Sequence, residues 1–101
     1  MGINLQWEGE RGDVRDCVLD ERGLMKILVI AAKEDSICLR FVDPYGNTVF
    51  NQMQIPVFLK EVNEIDANVL SQEVIEYRDE ITELVLRAVG KVHTYLKFYG
   101  D

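Results

Sequence analysis

A chain of 101 residues with 48% hydrophobic residues is one domain with enough apolar mass for its own core, and it needs neither disulfide nor metal to fold. Its net charge of −7 is concentrated between Lys60 and Glu83, where eight acidic residues stand against Lys60 and Arg78. That imbalance disfavours nucleic acid and anionic membrane as partners, and the longest apolar run, Ile27 to Ala32, is far short of the roughly 20 residues that cross a bilayer.

Trp7, Glu8, Glu10, Asp13 and Asp16 occupy the place of a signal peptide's apolar stretch, so none is expected. Cys17 and Cys38 lack CxxC spacing and read as buried, reduced thiols, which places the chain in the cytoplasm.

Ile3, Leu5 and Trp7 alternate with Asn4, Gln6 and Glu8, the pattern of a half-buried strand that stops before Gly9 and Gly12. Asp13 to Leu19 is ambiguous, with Val14, Cys17 and Val18 suiting a little over one helical turn. Between Asp20 and Glu34 the run Ile27-Leu28-Val29-Ile30 resembles a buried strand. Yet Arg22, Lys26 and Lys33 fall within about 40° on a helical wheel, opposite Leu24, Leu28 and Ala31. Helix is therefore predicted, with Gly23 a weak point near its start.

Ile37, Leu39 and Phe41 predict a second strand that turns at Asp43-Pro44-Tyr45-Gly46 and returns through Thr48 to Gln52, a hairpin over 37–52. Pro56 opens a short helix carrying Phe58, Leu59, Val62 and Ile65. Ser71 caps a longer helix that ends at Gly90. Val74, Tyr77, Ile81, Leu84, Val85 and Ala88 cover an arc of about 100° on it, which Ile75, Leu86 and Val89 widen to more than half its girth. Thr94, Leu96 and Phe98 then alternate with His93, Tyr95, Lys97 and Tyr99 in a terminal strand. The order predicts an α+β domain over 1–101: three to four largely antiparallel strands, with about three helices packed on one face.

No catalytic signature stands out. His93, the only histidine, has no elbow or triad motif around it and reads as a half-buried structural residue. No Gly-rich phosphate loop occurs. Glu73, Glu76, Glu80 and Glu83 fall within about 80° on the long helix, flanking its apolar arc, with Glu83 relieved by Arg87 at i+4. Such a stripe fits a solvated face, a surface for a basic partner protein, or a divalent-metal site built from ExxE pairs. Tyr45 at the turn tip, with Tyr95 and Tyr99 on the far face of the last strand, are the aromatic contact candidates.

The expectation is a non-enzymatic, cytoplasmic protein-interaction domain without cofactor, a concrete form of which is a bacterial immunity- or antitoxin-type inhibitor of a basic protein. The alternatives are a small Mg²⁺- or Mn²⁺-dependent hydrolase using the ExxE carboxylates, and a homo-oligomeric subunit. A homodimer would pair through a sheet edge, and the terminal strand is predicted to supply that edge.

Overall fold

In the computed structural model, which describes residues 2–100, the opening alternation becomes strand β1 (Asn4–Gly9). The closing alternation becomes β4 (Thr94–Tyr99). These two pair directly and antiparallel, Leu5 opposite Phe98 and Trp7 opposite Leu96. β2 (Val14–Val18) lies on the other side of β1, and β3 (Asn47–Asn51) on the other side of β4, giving the order β2-β1-β4-β3. Helices α1 (Leu24–Ala31), α2 (Ile55–Asn63) and α3 (Gln72–Ala88) cover one face, completing an α+β fold.

The period-two pattern decides which face is covered. Leu5, Trp7, Phe50, Leu96 and Phe98 are buried against the helices. Phe50, Phe58 and Phe98 form the junction of sheet and α2, with ring centroids 5.2 to 5.7 Å apart. Trp7 brings a polar atom into this layer and satisfies it by donating its indole N–H to the buried Thr94 hydroxyl, which donates to the Glu8 carbonyl at 3.1 Å. On α3 the Ser71 hydroxyl accepts from the Val74 amide at 3.3 Å, and Gly90 takes a left-handed φ of 81° just past the end, as its sequence predicts.

Two acidic side chains fasten the chain internally. Asp20, 3% exposed, accepts the amides of Ile3 at 2.9 Å, Leu24 at 2.7 Å and Met25 at 3.1 Å, while its own amide donates to the Asn4 side chain at 2.8 Å. It thereby joins the start of β1 to the first turn of α1, where Gly23 stands at the capping position with no side chain to offer. Approach is so close that a Cβ on Gly2 would run into the Asp20 carbonyl. Glu61 on α2 accepts from the consecutive amides of Ile37 (2.7 Å), Cys38 (2.9 Å) and Leu39 (3.0 Å) and from the Ser36 hydroxyl (3.1 Å).

Glu61 explains why the predicted 37–52 hairpin does not form. Three successive amides converging on one carboxylate require a curled backbone, whereas a strand points them alternately to opposite sides. Leu39–Phe41 is a 3-10 turn, and β3 pairs with β4 instead. The Asp43–Gly46 turn survives, with the Asp43 carboxyl accepting the Tyr45 amide at 2.8 Å.

Other expectations change for related reasons. Val14–Val18 is a strand, and the hairpin lies at Gly9–Asp13, closed by the Gly9 amide on the Asp13 carbonyl at 2.9 Å. As an edge strand, with a register shift between Trp7 and Glu8, β2 is mostly exposed and carries no alternating apolar pattern. Cys17 is exposed there, while Cys38 is buried. β4 is interior, so the sheet edges belong to β2 and β3. Leu86 and Val89 are exposed, which keeps the buried stripe of α3 narrower than predicted. No helix among the described residues is long and apolar enough to cross a membrane.

Burial raises the Glu61 pKa, but the three amides and the Ser36 hydroxyl outweigh it and hold the carboxyl below its ordinary value of 4.5. Stability from a carboxylate lowered in this way is present above that pH and is lost as pH falls through the folded-state value. Glu61→Gln should therefore cost about 1–3 kcal/mol near neutrality, and its thermal unfolding curve should converge with the wild-type curve in acid. A constant separation at every pH would contradict this account of the loop.

Candidate functional site

Glu73, Glu76, Glu80 and Glu83 lie outside the narrow apolar stripe of α3 and are all exposed. Three of them stand together with the chain that leads into α1. A cleft of about 210 Å³ is lined by Leu19, Asp20, Glu21, Arg22 and Leu24 on one side and by Glu73, Glu76, Tyr77 and Glu80 on the other. Glu83 lies outside it, and Arg87 pairs with Asp16 of β2 rather than with Glu83.

Arg22 is the single basic residue lining the cleft, and it pairs with Glu73 at 2.8 Å. Both side chains are more than half exposed, so this pair is worth only about 0–1 kcal/mol. Glu76 accepts from the Gln72 side-chain Nε2 at 3.2 Å, and among the described residues Glu80 has no cationic partner. Arg78, the basic residue of α3's first turns, is buried and turned away. It donates to the carbonyls of Val62 at 3.4 Å and Ile65 at 2.7 Å, at the end of α2. Arg78 therefore does not offset the carboxylates of this face.

Tyr77 is 5% exposed, and its hydroxyl is shielded from solvent without a hydrogen-bond partner among the described residues. Burial, followed by the charges of Asp20 and Glu80, pushes its phenol well above the ordinary range. Sequence reasoning placed Tyr77 on the apolar arc and missed its polar end. No pattern marks that hydroxyl, because Phe would satisfy the same periodicity. Asp20 was legible in part: an Asp shortly before a helix is a capping signal, but its reach back to β1 is a tertiary fact.

The aromatic candidates lie elsewhere. Tyr95 and Tyr99 are half-buried on the sheet face opposite the helices, with Lys97 between them. Tyr99 donates its hydroxyl to Glu8 at 2.6 Å, and Lys97 sits 3.2 Å from the same carboxyl. Tyr45 is exposed at the turn before β3, with the Lys26 ammonium 5.6 Å from its ring centroid. The carboxylates and the sheet tyrosines therefore face different ways, and one flat partner surface cannot meet both.

His93 is exposed rather than half-buried, in a left-handed backbone with φ 54°, and its Nδ1 lies 3.9 Å from Glu10. Burial and the neighbouring Glu61 raise the Cys38 thiol pKa, which suits an inert core side chain. A larger hollow of about 480 Å³ adjoins Glu61 between the 33–37 loop and α2. Its Glu61 carboxyl is already committed to four donors. Among the described residues, no three His, Cys, Asp or Glu side chains are grouped so as to hold a metal ion. Comparison with protein-family models, curated proteins and solved structures finds no match. The α1–α3 cleft therefore rests on its own chemistry.

The sheet face offers an independent check. Hydrogen bonding to Glu8, then burial and the Glu8 charge, push the Tyr99 pKa up from 10.0 to about 12. A phenol raised on folding adds stability below its ordinary value and loses that contribution as pH rises through the folded-state value. Ultraviolet titration should show one tyrosine ionising near 12, returning toward 10 in Glu8→Ala. An unchanged titration in that variant would remove the Glu8–Tyr99 bond from the description.

Proposed function

We propose that this chain is a non-enzymatic interaction domain that binds a basic protein through the acidic face of α3 and the adjoining entry to α1. The observation carrying the reading is the one-sided charge of that face. Glu76, Glu80 and Glu21 stand exposed with one basic residue, Arg22, lining the same cleft, while Arg78 is buried beneath α2. A surface of this kind accelerates encounter with a positively charged protein and orients it on arrival.

Its concrete form, by analogy of class alone, is a bacterial immunity- or antitoxin-type inhibitor that covers a basic partner. A cytoplasmic location belongs to the same reading, and two free cysteines fit a reducing compartment.

Capture from lysate of the native organism, eluted by stepped salt, tests the reading when wild type and Glu76→Lys/Glu80→Lys are run in parallel. The wild type should retain a basic protein that moderate salt releases, and the reversed variant should lose it. Equal retention by both would overturn the assignment of this face.

A further inference from the structure

The sheet ends in two edges, and they are not finished alike. On β2, Arg15 and Asp16 put charge on the edge, the register against β1 shifts between Trp7 and Glu8, and the Asp16 carboxyl accepts the Cys17 amide at 2.8 Å. Charged side chains and irregular register are the usual means of keeping an edge from pairing. β3 has neither. No charged residue occurs anywhere from Pro44 to Leu59, the longest such run in a chain that is 29% charged.

The ladder decides which groups of β3 are free. The Gly46 carbonyl accepts the Gly100 amide at 2.8 Å, so Thr48 and Phe50, at the same alternation, turn their backbone groups toward β4. Asn47, Val49 and Asn51 turn theirs outward. Asn51 is closed by Gln54, whose side-chain oxygen accepts its amide at 3.0 Å and whose amide donates to its carbonyl at 3.0 Å. Among the described residues, the outward amides and carbonyls of Asn47 and Val49 have no protein partner.

We propose that β3 pairs antiparallel with β3 of a second copy about a two-fold axis at Thr48, doubling the four-stranded sheet. Asn47 then stands opposite Val49 of the second copy, and the bonds they exchange use every open group of both edges while leaving the Gln54 caps intact. A two-fold contact requires a strand that complements itself. β3 does so: Thr48 meets Thr48, Asn47 meets Val49, and no like charges are opposed. Antiparallel pairing also carries the Tyr45 end of each strand to the Met53 end of the other, side chains that are 72% and 80% exposed.

Charge favours this edge for a second copy. α3 lies over β1 and β2, whereas α2 meets β3 and β4 through Phe50, Phe58 and Phe98. Two chains of net charge −7 therefore join at their uncharged side, with both acidic α3 faces at the far ends.

Sedimentation equilibrium in reducing buffer, which keeps the exposed Cys17 from cross-linking, tests the pairing on wild type, Val49→Pro and Val49→Lys. A short strand edge falls below the roughly 1,200–2,000 Å² of stable interfaces, so association belongs at about 10 µM to 1 mM. Across that range the wild-type mass should rise from 11.6 kDa toward twice that value. Val49→Pro removes an amide that bonds nothing within the chain, so it should stay monomeric while keeping the wild-type circular dichroism spectrum. Val49→Lys keeps that amide and should weaken the dimer roughly tenfold by setting like charges beside the axis, which provides a reading even if proline disturbs β3. A wild type that stays at 11.6 kDa throughout, or a dimer that survives the substitutions unchanged, would overturn the β3 pairing. The α3 reading would stand in either event, since it uses neither Val49 nor the sheet edge.

Discussion

The fold and its candidate site both depend on the buried carboxyl of Asp20. Its three amide donors come from the residue that leads into β1 and from the first turn of α1, so one carboxyl joins the two segments. Without that acceptor, three amides would be left in the interior at a cost comparable to several lost hydrogen bonds. The same contact sets the segment Leu19–Leu24 against the flank of α3, and so creates the cleft. Gly2 allows the approach because it has no Cβ to strike the Asp20 backbone. Stability and recognition therefore share one joint.

Glu61 is the counterpart of Asp20 at the other end of the helical layer. It holds the 36–39 loop to α2 as Asp20 holds β1 to α1, again through backbone amides and not through a basic partner. Amide nests favour carboxylates because several partial positive charges converge on one site. The acidic residues of this chain thus divide by what they bind. Asp20 and Glu61 organise backbone, whereas Glu73, Glu76, Glu80 and Glu83 remain in solvent on α3. Net charge alone does not reveal that division.

How much of this was legible in the sequence varied with the reach of each interaction. β1, α3 and β4 carry strong periodicity and recognisable caps, and all three appear close to their predicted limits. Asp13 to Leu19 lacked such a signal, since an exposed edge strand has no buried face to impose alternation. Ile37, Leu39 and Phe41 carried a false one: their alternation is real, but Glu61, 22 to 24 residues away, curls the backbone. On the site, the four helix glutamates were legible as a stripe. The convergence of Glu73, Glu76 and Glu80 with Asp20, Arg22 and Tyr77 depends on how α1 packs on α3, which no local pattern encodes.

The helix side and the sheet side offer two separable surfaces, Glu76 and Glu80 on one and Tyr95 and Tyr99 on the other. Amide chemical-shift mapping of the isotope-labelled chain against a tetra-arginine peptide distinguishes them directly. The account predicts shifts concentrated in residues 19–24 and 73–80, with Tyr95, Lys97 and Tyr99 unmoved. Shifts centred on the outer sheet face, or spread evenly over every exposed carboxylate, would contradict it.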